Sequence, residues 1–180
     1  MNTIAKTSIP LIVITVVAGL CLGIVYDVTK EPIAAETKRT QDEAMEKVMP
    51  AADDFQTVEG PVSGTISSIN GAYEGGKLIG YVINVTPSGF GGKVSTMVGV
   101  DLKGVITGLT VVSMSESPGL GARSTEPAWQ AQFAGLTAPI KVTKDGGQIQ
   151  AITGATITSR AVSAGATEAC EWVKANGGAK

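Results

Sequence analysis

One stretch of the chain marks the change from a β-rich region to a C-terminal helix, and it consists of Thr153-Gly154-Ala155-Thr156-Ile157-Thr158-Ser159. It groups several hydroxyls around a Gly-Ala step and contains no acid, base or thiol, so acid–base or nucleophilic catalysis by these residues is not expected. A tight turn, hydroxyls and a helix N-terminus are suited to holding a phosphate group. On the residues alone, the alternative is a plain strand-to-helix connection in which Thr158 or Ser159 caps the helix.

Strand-like runs precede this stretch. From about residue 66 the chain is rich in β-branched residues, and glycine-containing turns separate runs at 72–74, 78–85, 94–100 and 105–114. This spacing predicts an antiparallel meander. A short helix is expected next, capped by Ser124 or Thr125 and with Pro127 in its first turn. Gly135 is expected to end it.

The remaining segments complete the fold class. Asp145-Gly146, flanked by residues 141–143 and 148–152, predicts a hairpin. A helix from about Ser159 to Ala175 follows the hydroxyl-rich stretch. Strands with helices before, between and after them indicate an α+β fold rather than an alternating α/β fold.

The N-terminal part of the chain predicts a membrane anchor. Residues 7–26 carry no formal charge and are dominated by Leu, Ile, Val and Ala, and a helix of this length covers about 30 Å, the thickness of the hydrocarbon core. A cleaved signal peptide is the alternative, but this run exceeds the usual apolar core of about 7–15 residues, and no small-x-small site follows it. Lys6 and the α-amino group precede the run, so the positive-inside rule places the N-terminus in the cytoplasm.

These observations predict four segments in a single-pass protein of the cell (inner) membrane. They are a cytoplasmic stub at 1–6, a transmembrane helix at 7–26, a helical linker at 27–50 and, at 51–180, an extracytoplasmic domain with an antiparallel sheet and flanking helices. Within the linker, a charged surface helix is expected from Pro32 to Val48, with Pro50 stopping it.

Composition argues against several other classes of function. A formal net charge of −2 gives no reason to propose nucleic-acid binding, which calls for a basic face. Histidine is absent, which removes His-based metal sites and Ser-His-Asp or Cys-His catalysis. Cys21 lies in the apolar run, so a disulfide with Cys170 is not expected, and the two thiols show no metal-ligand spacing. We predict neither a metal site nor a catalytic residue.

A family resemblance extends this interpretation. Residues 152–162, with the sequence Ile-Thr-Gly-Ala-Thr-Ile-Thr-Ser-Arg-Ala-Val, closely resemble the flavinylation motif of the FMN-binding domain family. In that family a flavin transferase links FMN through its phosphate to the last threonine of a Ser/Thr-Gly-Ala-Thr sequence, which here is Thr156. The resemblance implies that residues 51–180 form an FMN-binding domain with covalent FMN at Thr156, and that Thr156 is an attachment point rather than a catalytic residue.

Two further stretches resemble the same family. Residues 116–121, Glu-Ser-Pro-Gly-Leu-Gly, look like its Glu-Thr-Pro-Gly-Leu-Gly loop, which lies against the isoalloxazine ring; alone, they are a generic turn. Residues 88–92, Ser-Gly-Phe-Gly-Gly, resemble its glycine-rich loop, the alternative being a hairpin loop. The cofactor-binding residues implied beside Thr156 are Thr153, Gly154, Ala155, Thr158, Ser159, Glu116, Ser117, Pro118, Gly119, Leu120, Gly121, Gly89 and Phe90.

The chain departs from the family pattern at a few positions. Gln150 stands where the family commonly has Asp, six residues before the modified threonine, and an acid there could help the transferase to dock or orient its metal. Ser117 replaces the usual threonine, and Met114 stands where histidine is often expected. Lys141 and Lys144 are interpreted as solvated hairpin lysines, the alternative being that they stabilise the reduced flavin.

With its N-terminal anchor, the chain resembles the G subunits of Rnf complexes, which are ion-translocating ferredoxin:NAD⁺ oxidoreductases. The resemblance implies a membrane-anchored electron-transfer subunit that is not catalytic alone. The implied partners are other membrane subunits, including a second flavin subunit and iron–sulfur subunits, together with a flavin transferase for maturation. The alternatives are a C subunit of the sodium-translocating NADH:quinone reductase and an anchored extracytoplasmic scaffold without cofactor.

Overall fold

The computed structural model describes residues 3–60, 62 and 64–177. The chain divides into a first unit that ends at Thr40 and a second unit that begins at Gln41. The second unit contains the sheet, the shorter helices and every residue of the FMN-binding motifs predicted above.

The N-terminal helix α1 runs over Thr3–Val48 without interruption and contains Pro10 and Pro32. A separate helix beginning at Pro32 is therefore a wrong prediction, whereas the predicted end at Val48 is confirmed. A proline lacks an amide donor and crowds the carbonyl four residues back. Strong helix formers such as Ala34 and Ala35 follow Pro32 and favour continuation of the helix.

By length and composition, α1 is the one helix among the described residues that is apolar enough to cross a membrane. Its most apolar window has a mean hydropathy of 2.4, and none of that window is buried inside the protein. Exposed side chains such as Leu11, Leu20 and Ile24 are in keeping with a helix surrounded by lipid.

The second unit is built on one antiparallel sheet with the strand order β1-β2-β3-β4-β5. The strands span Asp54–Thr57, Ile66–Glu74, Lys77–Val85, Val94–Asp101 and Ile106–Met114. The predicted meander and the α+β class are thus confirmed. The edge strand β1 was not predicted. Its sequence Asp-Phe-Gln-Thr includes only one apolar side chain and has no strand-like alternation of apolar and polar residues.

Alternating residues of the strands belong to two cores, since successive side chains point to opposite faces of a sheet. On β3, Tyr81 and Ile83 lie in the larger core, which also contains residues of the C-terminal helix α3 (Thr156–Asn176). Val82, between them, lies in the smaller core. The long helix α3 therefore covers one face of the sheet, and its first turn is held against the core of the domain.

The last turn of α1 covers the other face of the sheet. Val48 is fully buried, and its carbonyl accepts a hydrogen bond of 2.7 Å from the Thr107 hydroxyl. Gly99 and Gly108 leave room for this turn, because a Cβ on either would collide with the Val48 backbone. The prediction that this segment is a surface helix is therefore wrong for its last turn, where Ala44 is also buried.

Short helical segments follow β5. A 3₁₀ turn at Gly121–Thr125 leads into α2 (Pro127–Gln130), with Glu126 as the N-cap residue and no side-chain cap. The predicted capping by Ser124 or Thr125 is wrong, because the Thr125 hydroxyl instead donates to the Ala122 carbonyl at 2.9 Å.

The segment from 141 to 152 is not the predicted hairpin. Thr143–Asp145 forms a 3₁₀ turn, and Val142 and Ile149 make a single parallel bridge. Both of these side chains are fully buried. Burial of Val142 and Ile149 in the same core outweighs the antiparallel pairing that an Asp-Gly turn favours.

Candidate functional site

The hydroxyl-rich stretch forms a turn and the first turn of α3. The helix begins at Thr156, about three residues earlier than predicted, with Ala155 as its N-cap residue and no side-chain cap. Gly154 makes the turn possible with a φ of 80°, a left-handed conformation that glycine adopts without strain. The first amides of a helix have no acceptor within it, so those of Thr156, Ile157 and Thr158 are available to a ligand.

Ser159 and Thr158 lie inside the helix, so the alternative in which either one caps it is wrong. The Ser159 hydroxyl accepts a hydrogen bond from the Ile152 amide and donates one to the Ala155 carbonyl, each at 3.0 Å. The Ser159 amide also bonds to the Ala155 carbonyl at 3.0 Å. Ser159 therefore fixes the turn in place and has no amide to offer a phosphate.

Glu116 joins the other two motif stretches. Its carboxylate accepts hydrogen bonds from the amides of Phe90 at 2.8 Å and Gly91 at 3.3 Å. Gly89 and Gly121 both lie so close to this carboxylate that a Cβ on either would collide with it. Glycine at these two positions thus allows the backbone to lie close to the Glu116 carboxylate, and Glu116 holds the two loops together.

The three stretches meet around a cavity of about 370 Å³, within the range of about 300–1,000 Å³ typical of small-molecule sites. Of the residues predicted to bind cofactor, those that line it are Phe90, Glu116, Ser117, Leu120, Gly121, Gly154, Ala155, Thr156 and Thr158. The others, Gly89, Pro118, Gly119, Thr153 and Ser159, do not line it. Lys144 and Ile157 complete the lining. Ile157 was not predicted, and for Lys144 a place beside the flavin was only the alternative to a solvated hairpin lysine.

The cavity lining combines apolar and polar side chains. Three large apolar side chains are exposed to solvent, with Phe90 72%, Leu120 47% and Ile157 51% accessible. The polar part comprises the half-buried Thr156 and the exposed Lys144, whose Nζ lies 3.3 Å from Thr156 Oγ1. Such a surface suits a ligand with a flat apolar part and an anionic part.

Thr158 carries a polar group that lacks a partner. Its side chain is fully buried and lines the cavity, and its hydroxyl has no hydrogen-bond partner within the part of the chain that the structure describes. A buried hydroxyl without a partner costs free energy, on the order of 1–3 kcal/mol. A ligand that reached this hydroxyl would remove that cost.

An ion pair borders the polar part of the site. Arg160 donates to both carboxylate oxygens of Asp145, at 2.7 Å from Nε and 2.6 Å from Nη2. These bonds hold the pKa of Asp145 below its ordinary value, and the positive charges of Arg160, Lys141 and Lys144 act in the same direction. The carboxylate therefore neutralises Arg160 and leaves the Lys144 charge next to Thr156.

Gln150 is exposed on a fixed backbone. Its amide donates to Gln132 Oε1 at 2.8 Å, and its carbonyl accepts from Trp129 Nε1 at 2.9 Å. Residue 150, where the family pattern has an acid, is thus held on a fixed backbone and is accessible to a large partner. It does not line the cavity.

A second, larger cavity of about 530 Å³ has the Asp145–Arg160 pair in its lining. It is bordered by the segment from Pro139 to Val142 and by one face of α3. It includes none of the predicted cofactor-binding residues. We take the smaller cavity as the candidate site, because of these two cavities it is the one that brings the motif hydroxyls, free helix amides and exposed apolar side chains together.

The sequence favoured a solvated role for Lys144 and gave a place beside the flavin only as the alternative. Its position in a turn shortly before the motif was visible, but twelve residues separate it from Thr156 and only the tertiary fold brings them together. Ile157 lies within the motif itself. An exposed isoleucine is unusual and could have indicated a ligand contact, but this exposure becomes apparent only when the position of α3 is known.

Comparison with known proteins agrees with this site. Residues 89–171, which contribute every residue of the cavity lining, match the family described as FMN-binding domain. The chain is 35% identical to the G subunit of the ion-translocating oxidoreductase complex of Methanosarcina acetivorans over 97% of each chain. It is 36% identical to the G subunit of the Na(+)-translocating ferredoxin:NAD(+) oxidoreductase complex of Acetobacterium woodii, over 91% of this chain and 88% of that one.

The fold is also similar to a solved structure. The C subunit of the Na(+)-translocating NADH-quinone reductase of Parabacteroides distasonis superimposes with a TM-score of 0.55 at 18% identity, over 78% of this chain and 94% of that one. Fold and site together define an FMN-binding domain carried on a chain with an N-terminal apolar helix. The chain belongs to the family of G subunits of ion-translocating oxidoreductase complexes.

Proposed function

We propose that this chain is a membrane-anchored electron-transfer subunit of an ion-translocating ferredoxin:NAD⁺ oxidoreductase of the Rnf type. In this proposal it carries FMN covalently, through a phosphoester to Thr156 Oγ1. The observation that carries the proposal is the position of the Thr156 hydroxyl, at the first residue of α3 and in the lining of a cavity with an apolar rim. Family membership supports the same function.

The polar part of the site fits the phosphate of FMN. A phosphodiester at Thr156 carries one negative charge, and the free amides of Ile157 and Thr158 lie at the positive end of the α3 dipole. Lys144 adds a cation 3.3 Å from the attachment oxygen. The unpartnered Thr158 hydroxyl is a further group that a bound phosphate or ribityl chain would satisfy.

The apolar part fits the ring system. Phe90 and Leu120 expose large hydrophobic surfaces beside the cavity, and Ile157 lies next to the attachment residue. Flavin supplies the one- and two-electron chemistry, while the protein supplies position and electrostatics. A cavity that is open to solvent on one side leaves part of the cofactor accessible to electron donors and acceptors.

The residues of the site hold a carrier and do not perform a reaction themselves. The one carboxylate in the lining, Glu116, is engaged by the amides of Phe90 and Gly91. Thr156 has no histidine or thiol beside it to activate its hydroxyl, so an external flavin transferase is required. Covalent attachment keeps the cofactor at an effective concentration on the order of millimolar or above, which matters in a compartment where free FMN is dilute.

The anchor places this carrier at a membrane. We propose that residues 1–6 are cytoplasmic, that 7–26 span the membrane and that the domain after the linker is extracytoplasmic. Its partners would be the other membrane subunits of the complex, with a second flavin subunit and iron–sulfur subunits among them. The alternative, a C subunit of a quinone reductase, shares this fold, and copurifying subunits distinguish the two.

Intact-mass spectrometry with peptide mapping tests the attachment. The full-length chain is expressed with and without its native flavin transferase and purified in detergent, as wild type, Thr156→Val and the control Thr137→Val, which removes an exposed threonine outside the motif and the cavity lining. We expect a mass gain of one FMN less one water on wild type and Thr137→Val, localised to Thr156. Modification of Thr156→Val, or an unmodified wild type in the presence of a transferase active on a related acceptor, would overturn the proposal and favour the scaffold alternative.

A further inference from the structure

We infer that Lys144 is a positioning residue for modification of Thr156: its ammonium group orients the Thr156 hydroxyl and stabilises the charge that develops there during flavin transfer. This inference rests on the proposed function. The two side chains line the same cavity, with Lys144 Nζ 3.3 Å from Thr156 Oγ1. The distance is long for an N–H···O bond, so the interaction is mainly electrostatic.

The turn that carries Lys144 is held rigidly against α3. The side chains of Val142 and Ile149 anchor it in the core, and the Asp145 amide bonds to the Val142 carbonyl at 2.9 Å. The side chain of Asp145 pairs with Arg160, which lies one helical turn beyond Thr156 on the same face of α3. Adjacent residues of the turn thus contact adjacent turns of the helix.

The nearby carboxylates are occupied by other partners, which leaves the Lys144 ammonium group available to Thr156. The Asp145 carboxylate is engaged at both oxygens by Arg160, at 2.6 and 2.7 Å. Within the described part of the chain, Lys144 forms no ion pair, and the polar side-chain atom next to its ammonium group is Thr156 Oγ1. Glu116, the other charged side chain of this cavity, is engaged by the amides of Phe90 and Gly91.

Lys141 provides a natural comparison. It lies three residues before Lys144 in the same segment, but it lines the larger cavity, together with Asp145 and Arg160, and not the candidate site. Both lysines are exposed, so they are equivalent in charge and accessibility and differ in the cavity they face. If substitution of Lys144, but not of Lys141, slows flavin transfer, the cause is the position of Lys144 in the site and not the overall charge of the turn.

The proposed step is a phosphoryl transfer in which atoms and charges balance. Joining a hydroxyl to a free phosphate monoester would release water, so the donor is taken to be a flavin nucleotide whose phosphate is activated as an anhydride. The bond from Thr156 Oγ1 to phosphorus forms, the anhydride bond breaks, and the hydroxyl proton leaves with the departing phosphate or through a base of the transferase. A cation beside Oγ1 stabilises the oxygen as it loses that proton, and afterwards it pairs with the phosphodiester.

The test compares Lys144→Met, Lys144→Arg and the matched control Lys141→Met in the full-length chain. Each purified apo-protein is incubated with the flavin transferase and its flavin-nucleotide donor, and incorporation is followed by intact mass over a range of acceptor concentrations. The maximal rate and the KM for the acceptor are obtained separately. Unfolding midpoints of the unmodified proteins establish that all the variants are folded.

We expect Lys144→Met to lower the maximal rate roughly ten- to a hundredfold, less than the 10²–10³-fold typical of a buried oxyanion donor, because Lys144 is exposed. The KM should stay within about twofold of wild type, as for a group whose effect is confined to the transition state. Lys144→Arg should recover most of the rate, since it retains the charge. Lys141→Met should behave as wild type.

Several results would overturn the inference. Equal maximal rates for wild type and Lys144→Met would do so, as would a loss confined to KM, which indicates a contact with the transferase surface. Equal losses in Lys144→Met and Lys141→Met would indicate a general charge effect. A wild-type chain that is not modified at Thr156 would instead contradict the proposed function, so the two failures are distinguishable.

Discussion

Asp145 and Arg160 form a two-point ion pair that ties the turn before the motif to the second turn of α3, with nitrogen–oxygen distances of 2.7 and 2.6 Å. The pair brings the turn and the helix N-terminus together on one side of the candidate site. Both residues also line the larger of the two cavities. The contribution of the pair depends on pH, because the hydrogen bonds from Arg160 lower the pKa of Asp145.

The first prediction concerns the stability of the Asp145→Asn variant as a function of pH. The carboxyl has a folded-state pKa below its ordinary value of 3.8, so its contribution to stability is complete above that value and is lost as pH falls through the folded-state pKa. We expect Asp145→Asn to be less stable than wild type at pH 7 and the difference to disappear at lower pH. Urea unfolding at a series of pH values measures it.

Glu74→Gln, at the exposed end of β2, is the control for removing a carboxylate. It should not reproduce the Asp145 profile. If the difference in unfolding free energy between wild type and Asp145→Asn stays constant from pH 7 to below the folded-state pKa, the ionised pair contributes nothing to stability.

The second prediction concerns Gly154. Gly154→Ala places a side chain at a φ of 80° and within 2.9 Å of Leu120 Cδ2, so Leu120 must move within the cavity lining. Gly146→Ala has a similar φ of 77° but open space around it. Both variants should lose about 1 kcal/mol of unfolding free energy from the left-handed backbone. Only Gly154→Ala should also lower flavin incorporation.

Denaturant unfolding and intact mass measure the two effects on the same samples. Adding Leu120→Ala to Gly154→Ala should relieve the contact and leave the backbone cost. Equal incorporation by Gly154→Ala and Gly146→Ala would mean that the position of Leu120 does not matter for cofactor attachment.

The third prediction concerns the position where the family resemblance implies an acid. Gln150→Asp should increase the rate of flavin incorporation by roughly tenfold, which corresponds to about 1.4 kcal/mol in the barrier. The backbone of residue 150 is already fixed by Trp129 and Gln132, so an acid placed there would be presented without reorganisation. Intact mass at early times after addition of the transferase measures the rate.

Gln148→Asp, two residues earlier and also exposed, controls for a change of charge near the motif. An increase in rate in both variants would indicate general electrostatic attraction of the transferase. No increase in either would show that Gln150 supports full activity with the native transferase.

The fourth prediction concerns topology. Cys170 is fully buried, and burial raises the pKa of its thiol to about 11, so it should not react in the folded chain. Cys21 lies in the proposed span, so it should be shielded by lipid. Glu74→Cys, at the exposed end of β2, should therefore be labelled in intact cells by a membrane-impermeant maleimide if the domain is extracytoplasmic.

Asn2→Cys, in the proposed cytoplasmic stub, should react only after the cells are permeabilised. Wild type should show little labelling under either condition. Labelling of Glu74→Cys only in permeabilised cells would reverse the proposed orientation and place the domain in the cytoplasm.

Local patterns were enough to predict the meander, because β3, β4 and β5 have strand-forming residues separated by glycine-containing turns. They failed where tertiary burial competes with local preference. The Asp145-Gly146 pair favours a hairpin, yet the burial of Val142 and Ile149 produces a 3₁₀ turn and a parallel bridge. Ser159 has the chemistry of a cap, yet its hydroxyl is used to brace the turn before the helix.

The sequence by itself determined the class of the chain: an apolar run long enough to span a membrane, a strand-rich domain and a motif with a threonine at its end. These depend on composition and on residues close together in the chain, so they can be recognised without a fold. The tertiary structure decided which residues meet. Lys144 approaches Thr156, and Glu116 joins two loops, because packing of α3 against the sheet brings distant segments together. Such contacts depend on burial of the whole core, which no local pattern encodes.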